Sequence, residues 1–100
     1  VKIAAILRAP DTPDVRAALA RRAGEELAAL WQLYRDGVVR EIYSPGGPGA
    51  VLILECESAS AAAALLQALP LVANGIVTVE LIELHPFQAL AMLFAPRPAP

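Results

Sequence analysis

The chain has 100 residues, a formal net charge of −2 and a hydrophobic fraction of 57%, enough for one domain with one layer of helices on a sheet. Its eight Lys and Arg are scattered, with no basic stripe and no RNA-binding aromatic motif, which argues against a nucleic-acid partner. No run approaches the roughly 20 apolar residues of a membrane span, so the high mean hydropathy of +0.54 points instead to apolar surface buried against other copies of the chain. Cys56 is the lone cysteine, which leaves no intramolecular disulfide and no thiolate metal cluster. It ends an apolar strand and reads as a small core residue. The chain opens without a charged-then-apolar leader, so a cytoplasmic setting is expected.

Val1 to Arg8 reads as a first strand, with Ile3, Ala5 and Leu7 on one face and Pro10 ending it. Thr12-Pro13-Asp14 is a helix start: a hydroxyl cap, proline at the first helical position and an acid at the positive end of the dipole. That helix is expected to run to about Asp36, with Val15, Leu19, Leu27, Leu30, Leu33 and Tyr34 inward. Arg21, Arg22, Glu25 and Glu26 are expected on its solvated side, and Gly37 stops it. Val38–Tyr43 and Ala50–Cys56 read as two strands joined by Ser44-Pro45-Gly46-Gly47-Pro48-Gly49, a loop of turn chemistry. The loop lacks a P-loop lysine and leads into a strand, so nucleotide binding is rejected.

Ser58 or Ser60 caps a short alanine-rich helix through Leu69. In the last strand Val77, Val79 and Leu81 alternate with Thr78, Glu80 and Ile82, and Pro86 closes it. An apolar segment, Phe87 to Phe94, completes a single domain over 1–94. A proline-rich tail without a fold of its own follows over 95–100.

The element order β-α-β-β-α-β is the ferredoxin-like arrangement. It predicts an α+β fold with a four-stranded antiparallel sheet and two helices on one face. The strands carry apolar residues in both phases: Ile6 beside Leu7, Ile53 beside Leu54, Ile82 beside Leu81. A sheet apolar on both sides with helices for one needs another cover, and a homodimer or larger homo-oligomer supplies it.

His85 is the only histidine, and without clustered partners at ligand spacing it predicts no metal site. It reads as the end of the last strand or as a proton shuttle near neutral pH. Arg40 reads as an ordinary strand residue or as a bidentate anchor for a carboxylate. Glu41, Glu55, Glu80 and Glu83 are strand carboxylates, and one enclosed by apolar surface would have a raised pKa and act as a base. Strict strand alternation sends Arg40 and Glu41 to opposite faces. Trp31, Tyr34 and Tyr43 read chiefly as core or interface anchors. No nucleophile elbow or Ser-His-acid spacing argues for hydrolysis.

Arg35-Asp36-Gly37 followed by Arg40, then Gly47, then Gln67-Ala68-Leu69-Pro70-Leu71, a strand and His85-Pro86 resemble the muconolactone isomerase family. The plan of the first half agrees, including a helix acid at Glu26. The resemblance implies a subunit of the dimeric α+β barrel kind that binds a small organic ligand without metal or organic cofactor. It implies a proton shift that moves a double bond in a carboxylated lactone. Carried over by position, Arg40 and His85 keep the family's residue and Glu26 matches a helix acid. His85, Glu26 and the strand carboxylate Glu41 are the candidate catalytic groups, and Arg40, Tyr43 and Trp31 the candidate substrate contacts. The first strand is more apolar than the family's, and Glu41 and Ser44 stand where the isomerases carry a histidine and an arginine. A less charged ligand is therefore admitted. A cofactor-free oxygenase or cyclase on a polyketide-like aromatic, and a non-catalytic ligand-binding or assembly module, are the alternatives.

Overall fold

A computed structural model describes residues 1–96; of the proline-rich tail, residues 97–100 lie outside the described residues. The elements are β1 (Lys2–Arg8), α1 (Pro13–Arg35), β2 (Val39–Tyr43), β3 (Gly49–Glu55), α2 (Ala59–Leu66), α3 (Pro70–Ala73), β4 (Thr78–Leu84) and a 3-10 segment, Gln88–Phe94. The fold is α+β, with one open four-stranded sheet in the order β2-β3-β1-β4 and every neighbouring pair antiparallel.

Local chemistry sets these bounds. The Thr12 hydroxyl accepts the Val15 N–H at 3.3 Å and Pro13 follows at the first helical position, so α1 starts where proline costs nothing. Of the two serines able to cap α2, Ser58 does so, accepting the Ala61 N–H at 3.0 Å. The helix expected to continue to Leu69 ends instead at Leu66, with Gln67 as its C-cap. Leu69 precedes a proline and is extended, at φ −78° and ψ 117°, because the proline ring disfavours helical geometry in the residue before it. Pro70 then opens the separate turn α3, and β4 begins only at Thr78.

The core lies between the helices and one sheet face. Ile3, Ala5 and Leu7 from β1 and Leu52 and Leu54 from β3 are buried against Leu33, Ala62, Leu66 and Leu71 from the three helices. This is the phase expected for β1. Along α1 the inward stripe is Leu19, Ala23, Glu26, Leu30 and Leu33, a spacing of four, three, four, three. Leu27 and Tyr34, expected inward, are exposed, since both fall outside that stripe.

The other sheet face carries Tyr43, Val51, Ile6 and Glu80 in one cross-strand row, and Glu41, Ile53, Ala4 and Ile82 in the next. Its centre is apolar and only half-buried, and no element of the described chain crosses it. Past β4, Phe87, Leu90, Met92, Leu93 and Phe94 are 62–80% exposed, so this segment does not pack on the body. Accordingly the radius of gyration is 17.6 Å, against roughly 13 Å for a compact chain of this length.

Candidate functional site

A cavity of about 160 Å³ opens between α1 and the covered sheet face. Leu19, Glu26, Leu27 and Leu30 form its α1 wall. Leu7, Gly49, Ala50 and Leu52 form its floor on β1 and β3. Leu69, Leu71 and Val77 close it from the segment around α3. Among the described residues, Glu26 is the one polar side chain in this lining.

Gly49 makes the floor possible. Its φ is +125°, and a Cβ built there would sit 2.0 Å from the Leu7 carbonyl oxygen. Only glycine takes that conformation without strain while the two backbones lie so close. The α3 wall depends on Pro70: with Leu69 extended before it and a new turn starting at Pro70, the Leu71 N–H is free of a helical partner and donates to Glu26 Oε1 at 3.2 Å.

Glu26 is half-buried, and burial pushes its carboxyl above the ordinary glutamate range, because the apolar lining disfavours the charge. The Leu71 N–H acts in the opposite direction and offsets only part of this. The result is a carboxyl that holds its proton harder than a surface glutamate, at the wall of an apolar space. Such a group can take a proton from carbon and return it. Glu26 was expected on the solvated side of α1 by simple charge grouping with Glu25, and the structure corrects this. Its position at the centre of the Leu19–Leu33 stripe was the available signal.

The other candidate residues stand elsewhere. Arg40 donates from Nε to the Gly37 carbonyl at 2.6 Å, at the turn after α1, and does not line the cavity. β2 has an irregular register in which Val39 faces Leu54 and Glu41 faces Ile53. Arg40 is the extra residue, so the strict alternation expected for Arg40 and Glu41 is interrupted by a bulge. Glu41 and Tyr43 lie together on the uncovered sheet face, the Tyr43 hydroxyl donating to Glu41 Oε1 at 2.6 Å. That hydrogen bond, with the carboxylate's charge, raises the Tyr43 hydroxyl above the usual tyrosine range. Trp31 stacks on Tyr34 along the exposed side of α1, ring centres 5.6 Å apart. His85 follows β4, exposed, with Nε2 at 3.7 Å from Glu83 Oε1.

Glu26 is thus the one candidate that the structure places in the cavity, and neither His85 nor Arg40 joins it. The aromatic residues do not fill the space either. Among the described residues, no group of three or more His, Cys, Asp or Glu could hold a metal ion, and no helix is long and apolar enough to cross a membrane.

Fold and site together define an α+β domain with an uncovered apolar sheet face and a partly open apolar cavity holding one carboxyl group. The chain matches no known family model and no curated protein.

Proposed function

We propose that this protein is a cofactor-free, muconolactone isomerase-like domain whose Glu26 moves a proton on a small enolisable ring, such as a lactone. The observation that carries the reading is the half-buried Glu26 carboxyl, held toward its protonated form, in an otherwise apolar cavity. The strand order, read from the other edge as fourth, first, third, second, supports a ferredoxin-like subunit. Leu69 and Leu71 of the Leu-Pro-Leu motif, which with His85-Pro86 carries most of the family resemblance, help build the wall that faces Glu26.

In the proton shift, the Glu26 carboxylate removes a hydrogen from the ring carbon conjugated with the carbonyl, and the electron pair moves into an enolate. The protonated Glu26, its proton exchanging with solvent, then delivers a proton to the carbon beside the carbonyl. One C–H bond breaks, another forms, the double bond moves one position, and no atom is gained or lost. The test is solvent deuterium incorporation into lactone substrates, followed by proton NMR. Exchange by the native chain and its loss in Glu26→Gln is the expected result; equal exchange rates in both would refute the role of Glu26.

A second reading, a ligand-binding module without turnover, is favoured by one observation: His85 and Arg40 stand outside the cavity, so among the described residues Glu26 has no titratable helper there. Ligand-induced shifts without deuterium exchange would select it.

The uncovered sheet face is the proposed homo-oligomer contact. Lys2, Arg8, Glu41, Glu55 and Glu80 rim an apolar centre of Ala4, Ile6, Val51, Ile53 and Ile82, mixed charges that suit a self-complementary two-fold contact. Four strands of about five to seven residues give roughly 300 Å² of flat area from strand spacing, well under the roughly 800 Å² per partner of a stable interface. The exposed Phe87–Phe94 segment supplies further apolar area. Light scattering at micromolar concentration should give at least twice the 10.5 kDa chain mass, and Ile53→Asp should give monomers. A native chain of monomer mass would end the proposal.

A further inference from the structure

We infer that the ligand of the Glu26 cavity is an uncharged single-ring molecule, and that a carboxylated ring is selected against. The inference rests on the reading of Glu26 as the proton-moving group and adds to it the ligand class.

Three observations carry it. The first is size. A cavity of about 160 Å³ is close to the roughly 150 Å³ apolar cavity that accommodates benzene. One ring with a carbonyl and a short substituent fills this volume; a fused bicycle would leave part of itself outside it.

The second is charge. Leu19, Leu30, Leu52, Leu69, Leu71 and Val77 face the space, and no cation lines it among the described residues. The arginine best placed by sequence to grip a carboxylate, Arg40, is turned to the Gly37 carbonyl at the far end of α1. A ligand carboxylate seated against these residues would lose part of its water without gaining an ion pair. It would also enter beside Glu26, and two carboxylates in one apolar site cannot both stay ionised without cost. Deprotonated Glu26 is the form that removes the proton, so a ligand anion opposes the very state the reaction needs.

The third is hydrogen-bonding capacity. Among the described lining residues, Glu26 is the one side chain that can donate to a ligand carbonyl, once protonated, and the Leu71 N–H beside it is already engaged by Glu26. One carbonyl takes up this capacity, so a second polar substituent seated against the apolar lining would lack a protein partner.

The probes are muconolactone and the neutral butenolide with a methyl in place of its carboxymethyl group. Each is titrated at pH 7 into protein with labelled leucine methyls, beside deuterium exchange. The neutral butenolide should shift the Leu30, Leu52 and Leu71 methyls and bind at least about tenfold tighter than muconolactone. Leu27→Arg places a guanidinium at the cavity wall from a position already 63% exposed, and should narrow or reverse that ratio. Tighter binding or faster exchange of muconolactone by the native chain overturns the ligand class and leaves the Glu26 reading standing. Tight neutral binding without exchange does the reverse. No methyl shift with either probe overturns both.

Discussion

Glu26→Gln should lower the rate of proton exchange on an enolisable lactone by roughly 10²–10⁴-fold, the usual contribution of a positioned acid–base group. The variant should fold, because the glutamine oxygen can still accept the Leu71 N–H that Glu26 accepts at 3.2 Å. What it loses is the ability to carry the proton. In the native chain the rate should rise with pH through a value above the ordinary glutamate range, since burial favours the protonated carboxyl and the base must be ionised.

The same shift predicts a stability difference with a defined sign. The folded chain binds the Glu26 proton more tightly than the unfolded chain does. Stability from this group is therefore complete below the unfolded pKa and declines as pH rises through the folded one. Thermal unfolding across that window should show the native chain losing stability relative to Glu26→Gln as pH increases. A difference that grows in the opposite direction would mean that the Leu71 hydrogen bond outweighs burial.

Gly49→Ala is expected to be among the most damaging single substitutions in the chain. Its Cβ would lie 2.0 Å from the Leu7 carbonyl oxygen at a φ of +125°, so relief requires β3 to move away from β1 at the cavity floor. Backbone strain of about 1–3 kcal/mol and overpacking of about 1–3 kcal/mol together give a loss on the order of 4 kcal/mol. That corresponds to a fall in melting temperature well beyond 10 °C for a domain near this size, at roughly 4–8 °C per kcal/mol. Gly46→Ala is the control: its φ is +88°, but nothing lies within 4 Å of the added carbon. It should cost about 1 kcal/mol through strain alone. Denaturant midpoints for the two variants that coincide would show that the close approach to Leu7 carries no energy.

The Leu69–Pro70 step shows how local chemistry and fold share the work. Proline at position 70 determines that Leu69 is extended and that no helix runs through it, because a pre-proline residue resists helical geometry. Where the Leu71 N–H then points depends on α1 lying across the gap, and no local rule contains that. Likewise the period-2 runs of β1 and β4 and the Thr12-Pro13 start of α1 were legible, since strand alternation, capping and proline act within a few residues. The bulge at Arg40 was not, because it arises from the pairing of β2 with β3.

The site divides in the same way. Sequence alone determined an α+β chain, its strand and helix starts, an apolar excess on both sheet faces, and a short set of candidate groups. Only the tertiary structure decided among them, because a cavity is made by residues distant in the chain. Leu7, Glu26, Leu52 and Leu71 come from four elements, and it is their convergence that withdraws water from Glu26 and leaves Arg40, Glu41, Tyr43, Trp31 and His85 outside. Burial by distant neighbours, which raises one carboxyl's hold on its proton, has no local spelling beyond an acid within an apolar helical stripe.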